Sequence, residues 1–156
     1  MNYSKLATSI LKLVSEKKKP KMCYQYTDTD CYYMYPSLAV RINRRNNLLN
    51  FKDQNIYQNM QSTSRIENMF MSVNAGSGYQ LLKTGDIKTR TMTGDMCYCF
   101  KTHSDDDVYC LKKSLDIICN DNECYYFRTS LPNGKSNIQV YNASDELIAL
   151  VLPVQL

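Results

Sequence analysis

From Tyr79 to Leu156 the sequence keeps a cadence that few folds can accommodate: short apolar or alternating runs about ten residues apart, each closed by turn residues. The runs fall at 87–92, 96–102, 108–111, 115–119, 124–129, 137–141 and 146–152. Between them stand Thr93-Gly94-Asp95, the polar 104–107, Asn120-Asp121-Asn122-Glu123, Pro132-Asn133-Gly134 and the polar 142–145. Such gaps suit hairpins and are too short for the helical crossovers that parallel strands need. The second half therefore reads as an antiparallel β-sandwich or small barrel. Thirteen Tyr and no Trp fit the same reading, because aromatic rings pack well on a pleated surface.

The first part of the chain opens differently. Leu6, Ile10, Leu13 and Val14 recur at i, i+4, i+7 and i+8, which predicts a helix over 4–18 with Ser4 as its cap and Pro20 beyond its end. Lys5, Lys12 and Lys17 lie beside that stripe, so the helix is amphipathic and basic. Tyrosines at 24, 26, 32, 33 and 35 surround Asp28-Thr29-Asp30, the pattern of two strands and a turn. Apolar runs at 38–42 and 48–51 follow, separated by the polar 43–47, and 53–64 reads as a loop. The expected class is α+β, mainly β, with a basic amphipathic segment at 1–21 and one β-rich domain over 22–156.

Charge is distributed unevenly. Residues 1–52 hold ten Lys and Arg against three acids, a balance of +7, while residues 53–156 hold nine against twelve, a balance of −3. A basic segment on a mildly acidic body expects an anionic partner, either an anionic membrane surface or nucleic acid. The residues expected to meet it are Lys12, Lys17, Lys18, Lys19, Lys21, Arg41, Arg44 and Arg45. No run reaches the ~18 apolar residues of a membrane span, and Ala7 to Val14 lacks the form of a secretory signal. The expected location is intracellular, in the cytoplasm or at the inner membrane face, and nuclear if Lys17-Lys18-Lys19-Pro20-Lys21 acts as an import signal. The seven cysteines then remain thiols.

Sequence motifs assemble no reaction. The single His103 stands in a turn beside Ser104 and Asp105-Asp106-Asp107, without the spacing of a Ca²⁺ loop. Gly76-Ser77-Gly78 precedes a strand and lacks the Lys-Ser/Thr ending of a phosphate loop. Cys97, Cys99, Cys119 and Cys124 are the one candidate zinc set, although C-x-C with C-x4-C departs from the usual spacing. No cofactor is implied.

Met34-Tyr35-Pro36-Ser37-Leu38 resembles the YPxL late-domain peptides with which viral matrix and Gag proteins recruit host membrane-scission machinery. The resemblance makes Tyr35, Pro36 and Leu38 candidate docking residues, on an extended and accessible peptide. The function expected is a non-enzymatic structural or adaptor protein, matrix-like in the viral sense, with protein partners and a possible homo-oligomeric state. A nucleic-acid-binding regulator is the alternative, followed by a zinc-stabilised interaction domain.

Overall fold

The computed structural model describes residues 1–15, 22–46, 60–73 and 78–156. Among these residues α1 (Tyr3–Ser15) precedes β1 (Cys23–Tyr26), β2 (Asp30–Tyr35), β3 (Leu38–Asn43) and one 3₁₀ turn (Arg44–Asn46). A short β4 (Gln61–Ser62) and α2 (Ile66–Met71) follow. Then come β5 (Tyr79–Thr89), β6 (Met96–Lys101), β7 (Asp107–Leu111), α3 (Lys112–Ile118), β8 (Tyr126–Thr129), β9 (Ile138–Tyr141), β10 (Leu147–Val151) and β11 (Pro153–Val154).

The strands make one row in the order β11-β7-β6-β5-β8-β9-β10-β3-β2-β1-β4. Every pairing is antiparallel except that of β1 with β4. The mainly β body and the N-terminal helix hold. Closure into a sandwich or barrel is not drawn by the hydrogen bonds, since β11 and β4 end the row without pairing to each other. One long strand joins its two parts: residues 79–81 of β5 pair with β8, and residues 82–89 pair with β6. The register slips between Lys83 and Ile87, where Gly85 takes φ +88.

Side-chain alternation explains why the row is covered on both faces. Along β2, Cys31 and Tyr33 enter the main core with Leu6, Ile10, Val40, Leu115, Ile118 and Val140, on the face that α1 and α3 cover. Tyr32 points the other way and meets α2 through Phe70, their ring centroids 5.3 Å apart, with Ile66, Ala39 and Leu150. Gln25 supplies the cap that α2 lacks locally: its Oε1 accepts the Glu67 backbone N–H at 2.8 Å, and its Nε2 donates to Glu67 Oε2 at 3.2 Å.

The first helix is a core element. Leu6 and Ile10 are 0% exposed, each burial stabilising by roughly 1.5–3 kcal/mol. Asn2 N–H donates to Ile118 O at 2.9 Å, tying the start of α1 to the end of α3. Residues 1–15 therefore share the core of the β-rich body, in place of the separate basic segment expected over 1–21. The helix begins a residue earlier than expected and its cap is Asn2, whose Oδ1 accepts the Lys5 N–H at 3.1 Å.

Two other expectations change. Residues 115–118 of the strand expected at 115–119 lie in a helix, α3, because Ser114, Leu115 and Ile118 recur at helical spacing and bury one face. Lys112 and Asp116 then meet at i, i+4. The strand expected over 87–92 stops at Thr89, and the chain reverses through Arg90–Asp95, where Gly94 N–H donates to Arg90 O at 2.8 Å. The expected strand at 48–51, most of the loop at 53–64, residues 16–18 of the first helix and Pro20 lie outside the described residues.

Candidate anion-binding groove

The predicted basic residues fall into three groups. Lys17, Lys18, Lys19 and Lys21 lie outside the described residues. Arg41, Arg44 and Arg45 gather where β3 runs into the 3₁₀ turn, and two of them carry structural bonds. Arg41 Nη2 pairs with the buried Asp30 at 3.0 Å, and that hydrogen bond raises the guanidinium pKa further. Arg44 Nη1 donates to Thr27 O at 3.0 Å, and the Arg45 backbone N–H donates to Asn43 Oδ1 at 2.9 Å. The Arg41 and Arg44 side chains thereby fasten the β1–β2 turn, while Arg45 is exposed. Lys12 stands elsewhere, because β2 and β3 run between Arg41–Arg45 and the Pro36-Ser37 turn; six residues of β2 span roughly 17 Å.

At that other end, α1, the β2–β3 turn and α3 enclose an open groove of about 840 Å³. The α1 wall is Ser4, Lys5, Thr8, Ser9 and Lys12, a polar stripe set beside the buried Leu6 and Ile10. Lys5 and Lys12 are two turns apart, about 10 Å along the axis at 1.5 Å per residue. Both are exposed, and neither forms an ion pair with a described residue. The turn wall is Tyr35, Pro36 and Ser37, and the α3 side adds Leu111, Lys113, Ser114, Asp116 and Ile117.

Hydrogen bonds fix the walls to one another. Ser37 Oγ and the buried Ser114 Oγ are 2.8 Å apart, joining the turn to α3, and Leu152 N–H donates to Ser37 O at 3.1 Å. Lys113 is engaged with Asp95 at 2.9 Å. The Asp116 carboxylate accepts from Tyr98 Oη at 2.7 Å and pairs with Lys112. Burial pushes Asp116 up, yet Lys112 and Tyr98, with a smaller pull from Lys5, hold it below the ordinary carboxylate range. Asp116, the one acid among the described residues of the groove, is thus already neutralised by partners, and Lys5 and Lys12 set the sign of the α1 wall.

Tyr35 and Pro36 reach this groove, but the YPxL reading needs correction. Tyr35 pairs with Leu38 across a two-residue turn, and Leu38 is buried at 2% exposure. The segment is a tight hairpin with its last anchor in the core, whereas a docking peptide must be extended and accessible. The Tyr35 hydroxyl is also buried and has no hydrogen-bond partner among the described residues, and burial raises its pKa well above the ordinary value.

The candidate zinc set is not brought together, and among the described residues no three His, Cys, Asp or Glu side chains gather as metal ligands. Cys97 and Cys99 share one face of β6 and are buried there, Cys119 follows the unforeseen α3, and Cys124 is exposed. Burial pushes the Cys110 and Cys119 thiols up to about 12, which keeps them protonated and poor metal ligands. His103 is exposed in its turn, next to Lys101, which pairs with Asp105 and Asp107. The tyrosines of β2 serve the core, with Tyr32 at 2% and Tyr33 at 0% exposure. No helix among the described residues is long and apolar enough to cross a membrane.

Sequence spacing could have singled out Lys5 with Lys12, since i, i+7 places them on one face. Lys113, Ser114 and Ile117 carried no such signal. Comparison with family models, with curated proteins and with solved structures returned no match.

Proposed function

We propose that this chain is a non-enzymatic structural or adaptor protein that holds an anionic partner on the polar face of α1 and on the basic run that follows it, and that the partner is single-stranded nucleic acid. The supporting observation is the division of α1: its apolar stripe is committed to the core at Leu6 and Ile10, while Lys5 and Lys12 face outward without ion pairs to described residues. A helix that lies in a membrane interface has to lend its apolar face to the lipid. With that face occupied, the remaining attraction is charge and hydrogen bonding, which suits a phosphate backbone.

Lys17, Lys18, Lys19 and Lys21 extend the positive charge along the sequence. Four phosphate contacts to a single strand give a salt slope near −3, at about −0.7 per contact. The test compares the chain with its Lys17→Gln/Lys18→Gln/Lys19→Gln/Lys21→Gln variant, on single-stranded RNA and on phosphatidylserine vesicles, across a salt series. RNA binding whose slope flattens in the variant supports the reading. Binding to vesicles alone, or an unchanged RNA slope, refutes it.

A further inference from the structure

Resting on the nucleic-acid reading, we infer that the groove between α1, the β2–β3 turn and α3 is a nucleotide pocket that seats one nucleotide of the bound strand. The groove lies within the size range of small-molecule sites, about 300–1,000 Å³. Its walls differ in chemistry in the way the parts of a nucleotide differ. Lys5 and Lys12 give an ammonium at two places on one wall, where a phosphate can take charge-assisted hydrogen bonds. Thr8 and Ser9, between them in sequence on the same wall, supply hydroxyls for the sugar: Thr8 Oγ1 donates to Ser4 O at 2.9 Å and so offers the ligand an acceptor, while Ser9 can donate and accept. Pro36 and Ile117, from the other two elements, supply apolar surface for a base.

The pocket is preformed. The Ser37–Ser114 hydrogen bond joins the turn to α3, and the Asn2–Ile118 backbone bond joins α3 to α1, so all three walls are tied before a ligand arrives. Such preorganisation reduces the cost of ordering a site upon binding. Inorganic phosphate would meet only the lysines, and a nucleoside only the hydroxyls and the apolar surface. The complete nucleotide meets both, so its affinity should exceed that of either fragment.

The experiment titrates the full chain with adenosine 5′-monophosphate, adenosine and inorganic phosphate, read by calorimetry, beside single-stranded RNA. The expected result is that the monophosphate binds at least tenfold more tightly than either fragment and competes with RNA. Lys5→Gln/Lys12→Gln should weaken it at least tenfold. Thr8→Trp, which fills the groove from an exposed helix position, should abolish it without lowering the melting temperature. RNA binding with no monophosphate binding would overturn the pocket and leave the proposed function standing, while loss of both would overturn both. Phosphate binding as tight as the nucleotide, or nucleotide binding unaffected by Thr8→Trp, would also overturn the pocket.

Discussion

Replacing Ile10 by Ala tests whether α1 belongs to the core. Its side chain is fully buried and sits with Leu6, Leu115 and Ile118 in the main cluster, so truncation forfeits burial and leaves a cavity beneath the helix. Substitutions of this kind cost about 2–5 kcal/mol, against a total of about 5–15 kcal/mol for a domain. For a chain of this size that corresponds to a fall of roughly 4–20 °C in melting temperature, at 2–4 °C per kcal/mol. Leu6→Ala with Ile10→Ala should remove most of the remaining stability, although neighbouring sites do not add simply. Leu11, exposed at 45% on the same helix, is the internal control, and its change to Ala should stay within about 0.5 kcal/mol. Urea and thermal melts followed by tyrosine near-ultraviolet circular dichroism provide the assay. An Ile10→Ala variant that melts like the parent would return α1 to the status of a peripheral arm.

Tyr35→Phe should leave the chain as stable or raise stability by about 1 kcal/mol, seen in thermal melts, because the hydroxyl it removes is buried without a partner among the described residues. A clear loss of stability would mean that the hydroxyl is hydrogen-bonded in solution. Gly134→Ala should destabilise by about 2–4 kcal/mol, since Gly134 has φ +69 and an added Cβ would lie 2.1 Å from Val108 Cγ2. Iodoacetamide at neutral pH should label the exposed Cys124 within minutes and spare Cys110 and Cys119 in the folded chain, as mapped by peptide mass spectrometry.

Much of the β architecture was legible because it is local. Gly94 and Gly134 take positive φ in the turns where the sequence places them, and the hairpin around Asp28-Thr29-Asp30 forms as its alternating tyrosines imply. The helices were harder to read. Leu115, Ile117 and Ile118 crowd like a buried strand, and only the i, i+4 pair Lys112–Asp116 and the helical spacing of Ser114, Leu115 and Ile118 mark α3. Ile66 and Phe70 carried a helical spacing for α2 that a polar neighbourhood concealed.

The groove was not legible at all, because it is tertiary. Ser37 and Ser114 are 77 residues apart in the chain, and no local pattern announces that they meet. The basic residues show the same limit from the other side. Composition placed Arg41 and Arg44 with the lysines as one surface, whereas the buried Asp30 and the Thr27 carbonyl claim them. A charge count cannot separate a cation that is free to bind from one already spent on the fold.

The salt dependence of single-stranded RNA binding by Lys5→Gln/Lys12→Gln, set beside that of the parent chain, decides whether the polar face of α1 holds the partner. Both lysines are exposed on α1, so the variant should melt as the parent does. Two lost phosphate contacts should make the slope of log K against log salt shallower by about 1.4, with weaker binding across sequences. A slope and affinity equal to the parent's would mean that the exposed lysines of α1 have no part in holding the partner.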